Sequence, residues 1–405
     1  IETSCDETAL ALINGEKILS NITLTQTIHE KYGGVFPMLA KREHGRNLIP
    51  ILKKLLMESG FGNPKSQVPN SKKLQEAISY KLEAILEREP ELLEQFLEFV
   101  PTIEKPPIDA IAVTEGPGLE PALWVGINFA KALAAVWNIP IVPINHMEGH
   151  IISALLCRKK IPSSKLQAPN KFQTSNTEFP AIALLISGGH TELVLMKDWF
   201  DYEIIGATKD DAVGEAFDKV ARILGLPYPG GPQISHLSEK ARKEKKGLAL
   251  KSKERLNLEL FKLPRPMLNS GDLNFSFSGL KTAVLYLAKK IGELSDDDKK
   301  NIACEFEDAV TEVLITKTKK ALKQFNARTL IIGGGVSANK NIRDAFENYA
   351  RQNNTKLFIS SRELATDNAL MIAFACLLRL RAAKAKTGEK ITAQGNLKIN
   401  DDNEN

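Results

Sequence analysis

The sequence of 405 residues lacks the features of disulfide-stapled and membrane-spanning proteins. Its four cysteines stand singly, at Cys5, Cys157, Cys304 and Cys376. Without a C-x-x-C pair they predict neither a disulfide framework nor a cysteine zinc site, and they favour a reducing compartment. The longest apolar run covers 369–378, about half of the ~20 residues that a membrane-spanning helix needs, and Arg379 ends it. We therefore expect a buried helix here and no membrane partner.

The chain also has little excess charge. Its 54 Lys and Arg against 49 Asp and Glu give a formal net charge of +5, which is compatible with a nucleic-acid partner but too small to demonstrate one. The 43% of hydrophobic and 25% of charged residues are typical of a globular protein. A chain of this length favours two domains over one enlarged core.

Two stretches repeat a pattern of strand, small polar turn and strand. They cover residues 1–12 and 184–195, and Ser, Thr and two Leu positions fall in the same register in both. Each half then has an apolar strand that ends in a glycine-rich turn, at 108–118 and 328–335, followed by an amphipathic helical pattern. The same order of signals in both halves predicts an internal duplication.

We accordingly place an N-terminal lobe at 1–145 and a C-terminal lobe at 146–395. Residues 62–107 are rich in Lys, Glu and Leu and are flanked by prolines, which predicts a helical insertion in the first lobe. Residues 396–405 are polar and acidic without periodicity, which predicts a disordered tail.

Two histidines indicate a possible metal site. His146 and His150 follow an apolar strand at 140–145, and at this spacing on a helix both rings project from one face. A purely structural role for both residues is the alternative. A metalloprotease is disfavoured, because its helix needs a glutamate directly after the first histidine, whereas Glu148 stands two residues on and faces away.

A third ligand could come from Asp367, which stands where a long apolar helix begins. Aspartate is also a preferred N-cap, since its oxygen accepts a hydrogen bond from an otherwise free backbone N–H. Because a carboxylate has two oxygens, both roles stay open.

Charged and glycine-rich stretches give further candidates. Asp211, Glu215 and Asp218 fall on one face of a helical pattern, either to hold a ligand or simply as a solvated acidic face. Glycine-rich turns at 187–189, 229–232 and 333–339 permit close backbone approach and favour a nucleotide, although none fits a P-loop or a dinucleotide loop. Eight basic residues between 240 and 255 could contact phosphates or form a solvated helix face.

Nine short strings of this sequence also run, in the same order, through one known family. They are Ile1–Thr8, Tyr32–Pro37, His146–His150, Leu185–Thr191, Asp210–Lys219, Tyr228–Pro232, Phe275–Thr282, Gly334–Asn339 and Thr366–Ala369. The chain thus resembles the tRNA N6-adenosine threonylcarbamoyltransferases, formerly called O-sialoglycoprotein endopeptidases, in their bacterial and mitochondrial branch. Each string alone is weak, but together they are highly specific and span nearly the whole chain.

The resemblance implies the duplicated α/β fold of actin, Hsp70 and the sugar kinases, with two lobes around a central cleft. It places the metal ligands on His146, His150 and Asp367, for one divalent ion per subunit, Zn or Fe. It places the substrate contacts on nine residues. They are Leu185, Ile186, Ser187, Gly188, Gly189, Asp218, Gly231, Ser235 and Asn339. Some relatives carry a carboxylate where this chain has Ser235, so that contact differs here.

The implied reaction transfers a threonylcarbamoyl group from threonylcarbamoyl-AMP to the exocyclic amine of the adenosine beside the anticodon, in tRNAs that read ANN codons, and releases AMP. The implied partners are tRNA and a threonylcarbamoyl-AMP synthase, and we expect a homodimer. The group that accepts the proton is not identified. The 32–37 string, the insertions and a start without Met favour a mitochondrial matrix protein whose targeting peptide is removed, with a cytoplasmic location as the alternative.

Two rival functions stay open. A phosphotransferase or ATPase of the same fold could hold ATP in such a cleft, although kinases of this fold bind Mg through carboxylates and water rather than through paired histidines. A non-catalytic scaffold or chaperone-like ATPase would need neither a metal nor tRNA.

Overall fold

A computed structural model describes residues 1–62, 80–157, 171–172, 177–247, 260–388 and 390–401. The strands, in chain order, are β1 Glu7–Asn14, β2 Lys17–Thr25, β3 Ile111–Gly116, β4 Ile141–Asn145, β5 Leu156–Cys157, β6 Lys171–Phe172, β7 Ala181–Ile186, β8 Thr191–Asp198, β9 Asp201–Ala207, β10 Thr329–Gly333 and β11 Lys356–Ile359. The helices are α1 Pro37–Glu58, α2 Pro90–Phe99, α3 Glu120–Trp137, α4 His146–Leu155, α5 Val213–Ile223, α6 Gly230–Gly247, α7 Ser278–Ile291, α8 Asp296–Gln324, α9 Lys340–Asn353, α10 Arg362–Ala365 and α11 Ala369–Arg381.

The chain forms two compact units. Unit 1 comprises Ile1–His29, Val35–Gln173 and Asp367–Asp401, and unit 2 comprises chiefly Glu30–Gly34 and Thr174–Thr366. Each unit has a hydrophobic core of its own, in which buried aliphatic and aromatic side chains from its strands and helices pack together. No helix of the described residues is both long and apolar enough to cross a membrane.

The sheet of unit 1 is completed by the first residues of the chain. β1 and β2 pair antiparallel, and β3 and β4 pair parallel. Between the two pairs, the Ile1 nitrogen donates to the Ala112 carbonyl at 2.8 Å, and Glu2 and Ala9 exchange backbone hydrogen bonds of 3.0 and 2.9 Å. The order across unit 1 is therefore β4, β3, the first residues, β1, β2.

The sheet of unit 2 has the order β11, β10, β7, β8, β9. The β10 strand is parallel to both β7 and β11, whereas β8 is antiparallel to β7 and β9. All six residues of β7 are buried, as expected for an apolar strand covered on both faces. The order and the strand directions repeat those of unit 1, so the predicted duplication is confirmed, and with it the duplicated α/β fold.

The compact units divide the chain differently from the lobes predicted at 1–145 and 146–395. Unit 1 continues through α4 and also takes in α11. These two helices pack tightly, because a Cβ added at Gly149 would lie only 3.0 Å from Met371 Cγ and 3.1 Å from Ile372 Cδ1. The missing side chain at Gly149 lets the end of the chain return to the first unit.

Two further segments differ from the sequence expectation. The described part of the predicted 62–107 insertion is largely helical, but Leu92, Phe96 and Val100 are fully buried in the core of unit 1; residues 63–79 lie outside the described part. The predicted tail is packed in its first half, where Ile399 is 1% exposed and the Lys398 carbonyl accepts a hydrogen bond from Asn145. Residues 402–405 lie outside the described part.

Candidate metal centre and substrate loops

Helix α4 carries both histidines of the predicted metal site. Strand β4 ends at Asn145, whose side-chain oxygen accepts hydrogen bonds from the backbone nitrogens of Met147 at 2.9 Å and Glu148 at 3.4 Å. This N-cap starts the helix at His146. One turn later His150 lies on the same face, with ring centroids 4.7 Å apart.

Asp367 does not cap the helix that follows it. Asn368 is the N-cap of α11, since its Oδ1 accepts from the backbone nitrogen of Met371 at 3.1 Å. The cap interpretation of Asp367 is therefore wrong. Its carboxylate instead turns toward the histidines, with Oδ1 3.4 Å from His146 Nε2 and 3.2 Å from His150 Nε2.

These three side chains fit a single metal ion. Their ligand atoms all lie within 4.8 Å of one another. Bonds of about 2.0–2.1 Å to a tetrahedral ion would place two ligand atoms about 3.3 Å apart, which matches the two contacts of Asp367. His150 is fully buried, and within the described residues its ring nitrogens have no polar partner besides the Asp367 carboxylate, 3.2 Å from Nε2. Burying an imidazole with so few partners is costly unless a ligand satisfies it.

The electrostatics of the cluster also suit a cation. Burial by itself would lower the pKa of His146, but Asp367 and Glu2 outweigh burial and raise this pKa well above its usual value. Burial would raise the pKa of Asp367, but His146 and His150 hold it far below its usual range. The carboxylate of Asp367 is thus ionised and available as a ligand.

Glu148, the third charged residue of the α4 motif, serves a different purpose. It is fully buried and accepts hydrogen bonds from Arg379 of α11, from Nε at 2.8 Å and Nη2 at 2.5 Å. The ion pair joins α4, which carries the histidines, to α11, which follows Asp367. Because Arg379 holds both oxygens of Glu148, this carboxylate is not the general base of a metalloprotease, as the position of Glu148 after His146 also indicates.

Leu185 to Gly189 end β7 and form the turn before β8. Leu185 and Ile186 are fully buried, so only their backbone could contact a ligand. Ser187 closes the turn, since its nitrogen donates to the His190 carbonyl at 2.9 Å and its Oγ accepts from the His190 nitrogen at 3.1 Å. Gly188 and Gly189 are exposed and have no atom within 4 Å of an added Cβ. The turn therefore presents open backbone.

Asp218 holds the start of helix α6. Its Oδ1 accepts a hydrogen bond from the Gly230 nitrogen at 2.7 Å, and a Cβ added at Gly230 would meet the Asp218 Cα at 2.8 Å. Gly231, the next residue, has open space where a side chain would stand. The structure thus gives Asp218 a helix-capping role beside the candidate contact Gly231.

Ser235 and Asn339 lie in direct contact. Asn339 caps α9 through its Oδ1, which accepts from the Ile342 nitrogen at 3.1 Å. Its Nδ2 donates to Ser235 Oγ at 3.2 Å and to Glu307 Oε1 at 2.5 Å. Glu307 is buried and also pairs with Arg242. Both amide protons of Asn339 are consequently held inside the protein, which leaves only its oxygen for a further partner.

The remaining charged candidates are largely paired. Lys219 lies 2.7 Å from Asp211 and 2.9 Å from Glu215. Asp211 precedes α5, which begins at Val213, so the predicted helical face of Asp211, Glu215 and Asp218 is wrong at Asp211. In the basic run, Arg242 binds Glu307 and Asp308, and Lys243 lies 3.0 Å from Glu239. Residues 248–255 of that run lie outside the described part. The described residues of the two segments form no further cluster that could hold a metal ion.

The structure brings the three predicted ligands together, but the sequence patterns did not point to their neighbours. Glu2 contacts His146, and Glu307 orients Asn339. No pattern in the sequence marks either glutamate, because Glu2 is followed by Thr3 and Ser4, and Glu307 lies in a helix with many charged residues. All nine substrate candidates belong to unit 2, and all three metal candidates belong to unit 1.

The repeated sheets and the buried His–His–Asp cluster define a duplicated α/β protein with a candidate metal centre. The model of the family tRNA N6-adenosine threonylcarbamoyltransferase matches residues 17–65 and 84–374. Enzymes of that name from Chromobacterium violaceum and Paraburkholderia xenovorans are 40% and 39% identical to this chain. The first alignment covers 98% of this chain and 97% of the Chromobacterium enzyme. The second covers 96% of this chain and 94% of the Paraburkholderia enzyme. The chain belongs to this family.

Among solved structures, component A of the (R)-2-hydroxyglutaryl-CoA dehydratase of Acidaminococcus fermentans is 11% identical, with a TM-score of 0.45 over 93% of this chain and 95% of that one. So distant a likeness supports no conclusion on function. Family membership does: the protein is a transferase that acts in the threonylcarbamoyl modification of tRNA, and tRNA is its substrate.

Proposed function

We propose that the protein transfers the threonylcarbamoyl group of threonylcarbamoyl-AMP to the exocyclic amine of the adenosine adjacent to the anticodon, in tRNAs that read ANN codons. AMP is released. The observation that carries this proposal is the cluster of His146, His150 and Asp367 in a chain that belongs to the family. A protein that only bound tRNA would have no need of two buried imidazoles turned toward one carboxylate.

The metal cluster supplies the electrophilic part of this proposal. A divalent ion held by His146, His150 and Asp367, Zn or Fe, would polarise the donor's carbonyl or hold its polar groups, and so stabilise negative charge that grows in the transition state. The protein's own part is to hold the three ligands in place. Asn145 and Asn368 do so by fixing the first turns of α4 and α11.

The glycine turns of unit 2 supply the donor-binding part. The backbone of the exposed Gly188 and Gly189, and of Gly231 near the start of α6, could donate N–H groups to phosphate oxygens, since an added Cβ would meet no atom within 4 Å at any of the three. Asn339 offers its Oδ1, and Ser235 its hydroxyl. In this chain Ser235 is neutral, so an anionic donor is not repelled there.

The wider setting follows from the same proposal. A threonylcarbamoyl-AMP synthase supplies the donor, and the enzyme acts as a homodimer. We place it in the mitochondrial matrix on the strength of the 32–37 string and the insertions, although the relatives named above are bacterial. A fluorescent fusion of the full-length protein that stays outside mitochondria would contradict this location.

Reconstitution tests the reaction. The protein is incubated with synthase, threonine, bicarbonate, ATP and unmodified tRNA, and the tRNA nucleosides are separated by mass. We expect threonylcarbamoyladenosine in ANN-reading tRNAs, one AMP per modified nucleoside, and loss of both products after removal of metal by a chelator. ATP hydrolysis without nucleoside modification would instead favour the phosphotransferase or ATPase alternative. Full activity in metal-stripped protein would refute the role of the metal but not the transfer reaction.

A further inference from the structure

His146 has two ring nitrogens in two different environments. Its Nε2 lies 3.4 Å from Asp367 Oδ1 and faces the candidate metal centre. Its Nδ1, on the other side of the ring, lies 3.1 Å from Glu2 Oε2. Glu2 is not one of the candidate ligands, yet it contacts one of them directly. The imidazole therefore bridges a carboxylate and the site.

Glu2 is itself held in one position. Its Oε1 accepts a hydrogen bond from the Ser4 nitrogen at 2.5 Å, and its Oε2 accepts one from Thr114 Oγ1 at 2.6 Å. The residue is fully buried, so no bulk water competes for its oxygens. A carboxylate fixed at both oxygens defines the direction from which His146 must donate.

The contact between Glu2 and His146 determines which ring nitrogen of His146 carries the donated proton. Ser4 Oγ also lies 3.2 Å from His146 Nδ1, but a hydroxyl can donate or accept and would tolerate a proton on either nitrogen. An ionised carboxylate can only accept. Glu2 therefore keeps a proton on Nδ1 and turns Nε2, the nitrogen that an ion would bind, toward Asp367 and His150. His150 has no such partner among the described residues.

We propose that Glu2 is a positioning residue of the metal centre, which holds His146 with its proton on Nδ1 and its Nε2 ready to bind the ion. The inference rests on the metal site of the proposed function. Outer carboxylates of this kind fix the ring orientation of metal-bound histidines and raise their basicity, and their loss typically lowers metal affinity by ~10- to 100-fold.

The test measures Zn²⁺ affinity by competition with a chromogenic chelator in wild-type protein, Glu2→Ala, Glu2→Gln and Thr114→Val. We expect a loss of ~10- to 100-fold for Glu2→Ala and smaller losses for Glu2→Gln, whose amide oxygen can still accept, and for Thr114→Val, which leaves the carboxylate in place. Glu89→Gln is the matched control, because Glu89 is another buried carboxylate of unit 1 whose partners are Lys41 and Asn128. It should bind Zn²⁺ as the wild type does.

A second readout does not depend on metal. In protein labelled with ¹⁵N at histidine, the proton on His146 Nδ1, assigned by its absence in His146→Ala, should be protected from exchange in the wild type and lose that protection in Glu2→Ala. Unchanged protection, or unchanged Zn²⁺ affinity in folded Glu2→Ala, overturns the proposal. Equal weakening in Glu89→Gln does so as well. If the wild type binds no metal, the proposed function fails at its metal step, while the Nδ1 proton still decides the role of Glu2.

Discussion

The two units share one order of strands, yet the candidate site of unit 1 consists of side chains and that of unit 2 consists of backbone. In unit 1 the site consists of ionisable side chains: two buried histidines and the half-buried Asp367, with Glu2 behind one of the histidines. In unit 2 the turn that corresponds to residues 3–6 is Ser187-Gly188-Gly189, which is open and carries no charge. The same scaffold therefore supports a site made of side chains and a site made of backbone.

The difference has a physical reason. A metal ion needs a few atoms held about 2 Å away in a fixed geometry, and this requires side chains that neighbouring residues hold in place. A phosphate-bearing substrate needs several N–H groups on a surface that it can reach, and this requires glycine. We accordingly expect substitutions in unit 1 to act through charge and metal, and substitutions in the turns of unit 2 to act through shape.

The largest effect should come from the ligands themselves. His150→Ala and His146→Ala should lose the bound ion and at least ~100-fold of transfer activity, since a Lewis acid contributes several kcal/mol and each 1.36 kcal/mol is about tenfold in rate. Metal analysis and nucleoside analysis measure the two losses. His236→Ala, at an exposed position of unit 2, should keep its metal. Wild-type metal content in both His146→Ala and His150→Ala would contradict the assignment of these histidines as metal ligands.

The buried ion pair of unit 1 should matter far more than the partly exposed one of unit 2. Arg379→Met removes the guanidinium that pairs with the buried Glu148 carboxylate and should lower the free energy of unfolding by about 3–5 kcal/mol. Lys219→Met removes the partner of Asp211 and Glu215 and should cost at most about 1 kcal/mol. Urea unfolding measures both.

The double change of Glu148→Met and Arg379→Met refines this comparison. It removes both charges, so it should recover most of the stability that Arg379→Met loses. If the double variant were no more stable than the single one, the cost would lie in the packing of α4 on α11 and not in an uncompensated charge.

A buried histidine of unit 1 should make stability depend on pH. His44 accepts from Thr8 Oγ1 at Nδ1 and donates from Nε2 to the Cys5 carbonyl, and burial lowers its pKa to about 4 from an ordinary value of 6.5. Between these values the unfolded chain binds a proton that the folded protein excludes. The free energy of unfolding should therefore fall as the pH drops from 6.5 toward 4, by at most about 3 kcal/mol, and stay constant above 6.5.

Urea unfolding of wild-type protein and of His44→Gln, compared at several pH values, isolates this contribution. The variant is less stable throughout but should show a shallower pH dependence over the same range. Parallel curves for the two proteins would mean that other groups cause the acid sensitivity.

Alanine substitutions at two glycines of unit 2 should affect stability differently. Gly334 has φ of +91°, and a Cβ there would lie 2.4 Å from the Ile186 carbonyl oxygen. Gly334→Ala should therefore cost about 1–3 kcal/mol of stability. Gly231 has open space at the same point, so Gly231→Ala should change stability by less than about 0.5 kcal/mol while weakening donor binding. Unaltered donor affinity in Gly231→Ala would show that this backbone does not meet the donor.

Local patterns predicted a good part of the structure. The repeated strand signals and the helical spacing of His146 and His150 are confirmed, because strand alternation and the 3.6-residue period depend on near neighbours in the chain. The cap at Asp367 was wrong by one residue. Two adjacent residues, Asp367 and Asn368, could both cap α11, and only the position of the histidines decides which one turns away.

The sequence by itself determined the duplicated α/β fold, the helix that presents two histidines and the family to which the chain belongs. Tertiary structure alone decided the rest: that 80–101 joins the core of unit 1, that Ile399 is buried, that Arg379 pairs with Glu148, and that Glu2 contacts His146. In the two polar pairs, Glu2 with His146 and Glu148 with Arg379, the partners stand more than 140 positions apart in the chain. Periodicity and spacing describe only what neighbours along the chain can do, so partners of buried charges become visible only when the strands and helices are packed.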